Sequence, residues 1–460
     1  MRSGIRILVV LLATFPAHAQ QGLLETYELA LQNDPAIREA EANFLATSEV
    51  KARARSSLLP SLTLGGSTSD NTSKNPDPPL DFFTGEPSTI FSSTESESES
   101  TGFNFGVSQT LFDWSAFLAL KRADKTIAQA ETVLATARQD LLFRVASAYF
   151  SVLGAEDGLA AELAARDAIE QQLYETQRRF DVGLIAVTDV QEAQAGFDRA
   201  VASVIAAERV VASSREALRE IIDLYSEQLR SPIAELPLLT PDPNDVEAWV
   251  EIAQGQNLAL IASRIAVDMA DDDISISRSS RFPTLRLSAS SSESEFTSTQ
   301  TTNLFAGGAI VTDPTSSQRE GSGVSLSLSV PIYNGGSNRS AIRQSVFRRR
   351  AATEALERTT RQVIRMTRDA YLAVISDISR VQALAQAVES SRAALRATEA
   401  GFDVGQRTSA DIVRAQNAVT LSETAYSVAR YDYLIDVLRL KQATGDLSVA
   451  DLADIDAWLE

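Results

Sequence analysis

The side chains in this sequence that could do chemistry are mainly carboxylates. Cysteine is absent, and the single histidine is His18. Asp271, Asp272 and Asp273 stand together and could suggest a cation site, but the turn glycine and ligand spacing of a calcium loop are missing. A solvated helix face is therefore favoured for this run. We predict no metal site and no cofactor.

The first nineteen residues have the features of a secretory signal peptide: Arg2 and Arg6, an apolar run over 7–15, and a small-residue cleavage signal ending at Ala19. Its removal would change the net charge from −19 to −21 and take away His18. The remaining chain would lack any Cys/His zinc site, cysteine nucleophile or Ser-His-Asp triad, so we predict that it is not an enzyme. Its acidity argues against a nucleic-acid partner.

Two short segments combine a glycine with a polar helix start. Gly183 and Gly405 stand where a long helix is predicted to stop, because glycine adopts the left-handed conformation of a helix C-cap without steric cost. Thr188 with Gln191 reads as a capping box, and Asp189 adds negative charge to that first helical turn. Thr408 and Asp411 are predicted to play the same part in the second segment. Both aspartates then have a structural explanation as helix-start residues.

These segments belong to two copies of one plan, about 222 positions apart. The sequence FDVG occurs at 180–183 and again at 402–405, and SLLPSLTL at 57–64 matches SRFPTLRL at 280–287. We therefore predict an internal two-fold repeat with halves at 20–230 and 231–460. Each half reads as a helix, a strand, a polar loop, a second strand, a very long helix, a tight turn and another long helix.

Four strands are predicted, at about 61–72, 101–112, 284–298 and 321–332. The last is clearest, since Val324, Leu326 and Leu328 alternate with serines. Segments 67–100 and 291–322 have the Ser-, Thr-, Pro- and Asp-rich composition of exposed loops. Hairpins on a soluble sheet are one interpretation, but the polar face suits a water-filled lumen inside lipid.

A membrane-spanning role would require several chains. Outside the signal segment, no run of about 18 apolar residues is present to form a spanning helix, so strands would have to cross. Four strands cannot close a barrel, and open edges in lipid leave backbone groups without partners. Two, three or four chains would give about 8, 12 or 16 strands, and the residues alone leave this open.

Two helices of about 67 residues, roughly 100 Å long, are predicted at 115–181 and 337–403. Recurring alanines favour a hollow wall of helices over a solid coiled coil, whose seam would need Leu or Ile. Arginines cluster over 339–368. A solvated or salt-bridged face is favoured for them, with a positively lined lumen as the alternative.

The helix-turn segments and their flanks resemble the TolC family of outer-membrane efflux and secretion proteins. The resemblance lies in VGLIAVTDVQ at 182–191, VGQRTSADIV at 404–413, ARYDYL at 429–434 and LKQATG at 440–445. It covers nearly the whole chain after the signal segment. It implies an α+β membrane protein and a homotrimer, in which a 12-stranded outer-membrane β-barrel continues into a 12-helix periplasmic α-barrel. An equatorial belt would come from about 224–254 and 445–460.

The resemblance also implies a gate at the periplasmic end. Its residues here would be Thr188, Asp189, Phe402, Arg407 and Asp411, with Asp411 from three chains forming an acidic constriction. Two departures bear on that gate. Phe402 stands where the family often has tyrosine, and Arg414 stands where a second aspartate can follow the first. A looser and less cation-selective gate is therefore expected.

Partners are implied in the same way: a periplasmic adaptor (membrane fusion) protein, an inner-membrane transporter and outer-membrane lipid. The adaptor would dock at the hairpin tips. The tip residues are Val182, Gly183, Leu184, Val404, Gly405 and Gln406. The function implied is a passive exit duct for efflux or type I secretion, placed in the outer membrane and extending into the periplasm of a Gram-negative bacterium. The alternatives are a periplasmic adaptor or structural coiled-coil protein, and an exported hydrolase with paired carboxylates, for which no pair stands out.

Overall fold

The computed structural model describes residues 20–75, 93–225, 228–233, 236–303 and 310–459. The predicted signal segment lies outside them. The chain divides into two compact units, one made of 1–45, 129–265 and 353–460 and the other of 46–128 and 266–352. The second unit contains the sheet, and the first contains both helix-turn segments.

The elements follow the predicted order of a helix, two strands and a long helical hairpin, given twice. The helices are α1 Leu23–Asn33, α2 Pro35–Ser48, α3 Val50–Ser56, α4 Trp114–Asp181, α5 Val187–Ile222, α6 Val246–Gln256, α7 Leu258–Ser279, α8 Ser337–Asp403, α9 Ser409–Thr444 and α10 Val449–Asp456. The strands are β1 Ser61–Asn75, β2 Ser93–Phe112, β3 Thr284–Asn303 and β4 Ile310–Ser329. The two very long helices, α4 and α8, are thus confirmed.

The strand bounds differ from the prediction. β2 begins at Ser93 and not near 101, β3 runs on to Asn303, and β4 spans Ile310–Ser329 and not 321–332. Much of the predicted loops at 67–100 and 291–322 is therefore strand. The reason is that the hydrogen bonds between strands are made by backbone N–H and C=O groups, which serine and threonine provide as well as apolar residues do. Alternation of apolar residues detected only the part of each strand that carries them.

One antiparallel sheet joins the strands in the order β1-β2-β3-β4. Residues directly opposite each other lie on the same face. Leu62, Val107, Ala289 and Val324 form one such row across all four strands. Leu62 is 69% exposed and Val324 76% exposed. The neighbouring row, on the other face, consists of Thr63, Gly106, Ser290 and Gly323. At these two rows, close to the junctions with the helices, the sheet thus has an apolar face and a face of small residues made of threonine, serine and glycine.

The core of the other unit lies where α4 and α9 meet the short helices. Tyr149, Phe150, Tyr433 and Leu434 are fully buried there. The Phe150 and Tyr431 rings stack with their centroids 5.9 Å apart. These large side chains fix α4 against α9, and both helices then continue toward the two helix-turn segments. No helix among the described residues is long and apolar enough to cross a membrane.

Candidate functional site

The first turn, between α4 and α5, closes through a Schellman motif. Gly183 has φ +77°, and its N–H donates to the Phe180 carbonyl at 2.8 Å. The Leu184 N–H donates to the Arg179 carbonyl at 2.9 Å. These two bonds satisfy carbonyls that the end of α4 leaves free. The glycine is needed because its φ is positive.

The predicted capping box of Thr188 with Gln191 is wrong. The N-cap of α5 is Ala186, two residues earlier, and Thr188 lies exposed inside the first turn. Alanine has no side-chain acceptor, so the box is only half made: the Ala186 N–H donates to Asp189 Oδ2 at 3.3 Å. A threonine near a helix start is a strong local signal, but here the helix begins before the chain reaches it.

The second turn, between α8 and α9, has a complete capping box. Gly405 has φ +75°, and the N–H of Gln406 donates to the Gly401 carbonyl at 2.8 Å. The N–H of Asp411 donates to Thr408 Oγ1 at 3.3 Å, and the Thr408 N–H donates to Asp411 Oδ2 at 3.0 Å. The predicted role of Thr408 and Asp411 at this helix start is confirmed.

Asp411 is held as a carboxylate by groups of its own chain. The backbone hydrogen bond from Thr408 is the main cause that lowers the pKa of Asp411. The Thr408 hydroxyl, Arg414 and Arg407 act in the same direction, and together these groups outweigh the opposing effect of desolvation. Arg414 Nη2 lies 2.8 Å from Asp411 Oδ1. The Arg414 side chain is 74% exposed and that of Asp411 only 23%. The side that this helix start presents to solvent is therefore more guanidinium than carboxylate.

Phe402 connects the two hairpins. Its ring is buried, and the Arg179 guanidinium lies over it, 4.3 Å from the centroid. Arg179 also forms an ion pair with Asp403 at 2.8 Å. Nearby, Ser409 Oγ donates to the Asp189 carbonyl at 3.3 Å. A cation–π contact and an ion pair within the chain therefore hold the end of α8 against the end of α4.

Arg407 is the predicted gate residue that the described part of the chain leaves free. Its side chain is exposed and makes no hydrogen bond or ion pair with any described residue. It acts electrostatically on Asp411, but it is not bonded to Thr188 or Asp189 of its own chain. The structure thus brings Thr188, Asp189, Phe402, Arg407 and Asp411 into two adjacent turns, with one guanidinium unused.

The predicted docking residues lie at the ends of the same turns. Val182 is 70% exposed, Leu184 73% and Val404 70%. Gly183, Gly405 and Gln406 are also exposed. Behind them the two hairpins pack closely, because a Cβ at Gly196 of α5 would lie 3.2 Å from the Val413 methyl groups of α9. The turns therefore present apolar side chains on a packed base.

Ion pairs account for the aspartate run and for part of the arginine run. Arg349, Lys125 and Arg122 pair with Asp271, Asp272 and Asp273 at 3.0, 2.6 and 2.7 Å. The prediction of a merely solvated aspartate run is therefore corrected, since the run is salt-bridged. Farther along α8, arginines pair with Glu357, Asp369 and Glu247. No cluster of His, Cys, Asp or Glu among the described residues has the makings of a metal site.

A carboxyl pair between α8 and α9 has no counterpart in the sequence patterns. Asp377 is 7% exposed, and its Oδ2 has no hydrogen-bond partner among the described residues. Asp436, which pairs with Arg439, lies within hydrogen-bonding reach, and Asp432 is close. Arg380 Nη1 lies 4.0 Å from Asp377 and 3.2 Å from Asp432. Burial, with Asp436 and Asp432, raises the pKa of Asp377 to about 6.

Asp377→Asn is expected to remove a pH dependence of stability. Because the folded-state pKa lies above the ordinary value of 3.8, the native chain binds the proton more tightly than the unfolded chain. That stabilisation is complete below about pH 4 and is lost as the pH rises through about 6. Solvent screening reduces the loss to about 2 kcal/mol. Thermal unfolding should show the variant matching the parent near pH 4 and exceeding it at pH 7.

An exposed acid on the same helix provides the control. Asp369→Asn should leave the pH dependence of the melting temperature as it is in the parent. The account of the Asp377–Asp436 pair fails if the parent and Asp377→Asn differ by the same amount at every pH.

Comparison with known proteins identifies relatives along the whole chain. The family model described as "Outer membrane efflux protein" matches residues 26–223 and 249–446. The chain is 35% identical over 447 residues to the "Outer membrane protein TolC" of Vibrio cholerae, covering 96% of this chain and 94% of that protein. It is 31% identical over 443 residues to the "Alkaline protease secretion protein AprF" of Pseudomonas aeruginosa, covering 94% and 86%.

The fold is also that of solved channels. The Campylobacter jejuni CmeC outer membrane channel superposes with a TM-score of 0.69 at 15% identity, covering 95% of this chain and 90% of that one. At this identity the likeness speaks for the fold alone.

Proposed function

We propose that three copies of this chain assemble into one continuous channel. The premise is that the chain belongs to the outer membrane efflux protein family. It is an outer-membrane exit duct for efflux or type I secretion in Gram-negative bacteria. The strands of the three copies would form a 12-stranded barrel in the outer membrane, and their long helices a 12-helix barrel in the periplasm. The family is one of channel and transport proteins. The duct would carry out no reaction and need no cofactor.

The two-faced sheet is the observation that carries this proposal. The row of Leu62, Val107, Ala289 and Val324 suits lipid, and the row containing Thr63 and Ser290 suits a watery lumen. In the described part of the chain, β1 and β4 each pair on one side only. Pairing β4 of one copy with β1 of the next would satisfy both edges. This exposed apolar row also disfavours a periplasmic adaptor or a structural coiled-coil protein.

The remaining boundaries are part of the same proposal. Residues 1–19 would be the cleaved signal peptide, and 20–230 and 231–460 the two structural repeats. The belt at 224–254 and 445–460 contains α10 and most of α6. The bridge Pro232–Leu459 joins its two segments, and the bridge Gln21–Leu229 joins it to the start of the described chain. Such a mixed belt would stiffen the helical wall partway along its length.

The two helix-turn segments would form the gate at the periplasmic end. Arg407 of one copy would bond to Thr188 and Asp189 of the next. This is supported by its exposed guanidinium, which has no bonded partner among the described residues of its own chain. Phe402 would fix the hairpin from within, and Asp411 would line the narrowest point. A periplasmic adaptor would dock on the exposed Val182, Leu184 and Val404, with the glycines and Gln406 shaping the turns, and an inner-membrane transporter would supply the cargo.

The mass of the assembled protein tests the stoichiometry. Light scattering on the purified full chain in detergent, corrected for bound detergent, should give the mass of three chains. A mass of two or four chains would contradict the trimer while leaving a closed barrel intact. A monomer that stays folded at every concentration would contradict barrel closure itself.

Arg414→Gln is expected to make the channel more selective for cations. In the parent each Asp411 charge is offset by Arg414 at 2.8 Å, so the constriction would carry paired charges. Removing the guanidinium leaves three carboxylates around the pore, and such rings attract cations. The reversal potential across a salt gradient should shift toward the cation equilibrium potential. Arg396→Gln, an exposed arginine on α8, is the control, and an equal shift in both variants would contradict the role of Arg414.

A further inference from the structure

Six basic side chains lie next to the points where strands and helices join. Arg55 is in the last turn of α3, and Lys121 is the eighth residue of α4. Arg278 and Arg281 lie at the end of α7 and just after it, and Arg339 and Arg343 are in the first two turns of α8. All six are exposed. We call them the basic layer.

The strand pairing places the members of the basic layer at one end of the sheet, where the strands meet the helices. Ser61, the first residue of β1, pairs with Ser108 near the end of β2. Phe112, the last residue of β2, pairs with Leu285 at the start of β3. Thr284 pairs with Ser329, the last residue of β4. All four junctions between strands and helices therefore lie at the same end of the strands.

Within the junction segments, acidic residues are nearly absent. In the junction segments 55–60, 112–121, 278–283 and 330–343 the single acidic residue is Asp113. Its Oδ1 accepts hydrogen bonds from the N–H and hydroxyl of Ser115, so it caps α4. None of the six bases forms an ion pair with a described residue. Farther from the sheet acids and bases do pair, as in Lys51–Asp124 and Arg122–Asp273, both at 2.7 Å. An unbalanced basic layer is unexpected in a chain with 61 acidic and 42 basic residues.

Helix stability does not account for the basic layer. Neither α4 nor α8 has an acid in its first turn, where one would be favourable. Arg339 stands instead at the start of α8, where a positive charge opposes the helix dipole. On the sheet side of the layer, exposed aromatic residues lie at the same junctions: Phe112, Trp114, Phe117, Phe282 and Tyr333. Aromatic rings in this position are typical of the boundary between lipid and water.

We propose that the basic layer binds the phosphate groups of anionic phospholipids in the periplasmic leaflet of the outer membrane. This inference rests on the proposed function, since it takes the sheet as the membrane-spanning part. The aromatic rings would then lie at the level of the lipid ester groups. The arginines, within about two turns of the helix ends that face the sheet, would reach the phosphates and bind them with paired N–H donors. The bound lipids would fix the depth of the channel in the membrane.

The test is retention of lipid by the purified full-length protein in detergent. The variant combines Arg281→Gln, Arg339→Gln and Arg343→Gln. The matched control combines Arg358→Gln, Arg361→Gln and Arg365→Gln, three exposed arginines farther along α8. The probes are phosphatidylglycerol, phosphatidylcholine and inorganic phosphate, and bound lipid is counted by native mass spectrometry. Each arginine near an anionic surface contributes about fivefold, so affinity for phosphatidylglycerol should fall on the order of a hundredfold in the variant alone.

Three results would overturn the proposal. Equal retention of phosphatidylglycerol by the variant, the control and the parent would show that other residues hold it. Equal affinity of the parent for phosphatidylcholine would remove the role of the net lipid charge. Full competition by inorganic phosphate at the same concentration would mark an ordinary anion site. Channel conductance is measured separately on all three proteins. A parent that conducts but does not discriminate between lipids would contradict the lipid proposal without contradicting the channel function.

Discussion

Replacing Arg407 by serine is expected to raise the single-channel conductance several-fold. The arginine is exposed and has no partner in the described part of its own chain, whereas Phe402 and Asp411 are packed or bonded within it. In the proposed trimer it would tie one copy to Thr188 and Asp189 of the next. A bond to a charged group contributes about 1.5 to 3 kcal/mol, and three copies lose it together. The periplasmic end should then spend more time open.

Arg396→Ser gives the control for this measurement in planar bilayers. It removes the same charge from an exposed site on α8, about two helical turns before that helix ends. The control should conduct like the parent. If Arg407→Ser conducts like the parent as well, the gate does not depend on this residue, and the placement of the constriction at 404–413 loses its main support.

Gly445→Ala is expected to destabilise the protein by about 3 kcal/mol. Two causes add there: the backbone strain of a positive φ and the overlap of the new Cβ with backbone atoms. Gly445 ends α9 with φ +85°. A Cβ at this position would lie 2.5 Å from the Gln256 carbonyl oxygen and 2.9 Å from Asn257 Cα, both of which are backbone atoms. The turn is held in addition by Gln139, whose Nε2 donates to the Gly445 carbonyl at 2.7 Å. Neither side can move without breaking these contacts.

Gly183→Ala separates the two causes. Its φ of +77° brings the same conformational strain, but no atom lies within 4 Å of the Cβ position. It should cost about 1 kcal/mol, and its melting temperature should fall much less than that of Gly445→Ala. Equal losses in the two variants would contradict the role assigned to the contact with Gln256.

The sequence predicted the elements that repeat a strong pattern. The predicted bounds of the long helices α4 and α8 lie within one residue of the observed ones. A stretch of about 67 residues without proline fits no other regular element. The strands were found but shortened, since their serine-rich parts carry no apolar alternation. The cap at Ala186 was missed because Thr188 is the stronger local signal, although the predicted repeat, with its offset of 222 residues, places Ala186 opposite Thr408. At this position the predicted repeat gives the observed N-cap and the local signal does not.

What the sequence could not predict depends on contacts between distant parts of the chain. The pairing of Asp271, Asp272 and Asp273 with α4 and α8 joins residues whose separation in sequence carries no signal. The Asp377–Asp436 pair is hidden for the same reason, since each residue alone looks like an ordinary helix-surface acid. Arg414 was recognised as a departure from the family pattern. That it pairs with Asp411 became evident from the geometry.

Single-channel recording of the purified full-length protein in a planar bilayer tests the central claim most directly. A passive duct should insert as an oligomer and give discrete, steady current steps without any energy source or partner protein. The conductance should be small, because the proposed periplasmic gate would be closed without partner proteins. Stable oligomers that insert into the bilayer and never conduct would contradict the account, and the apolar row of the sheet would then need another explanation.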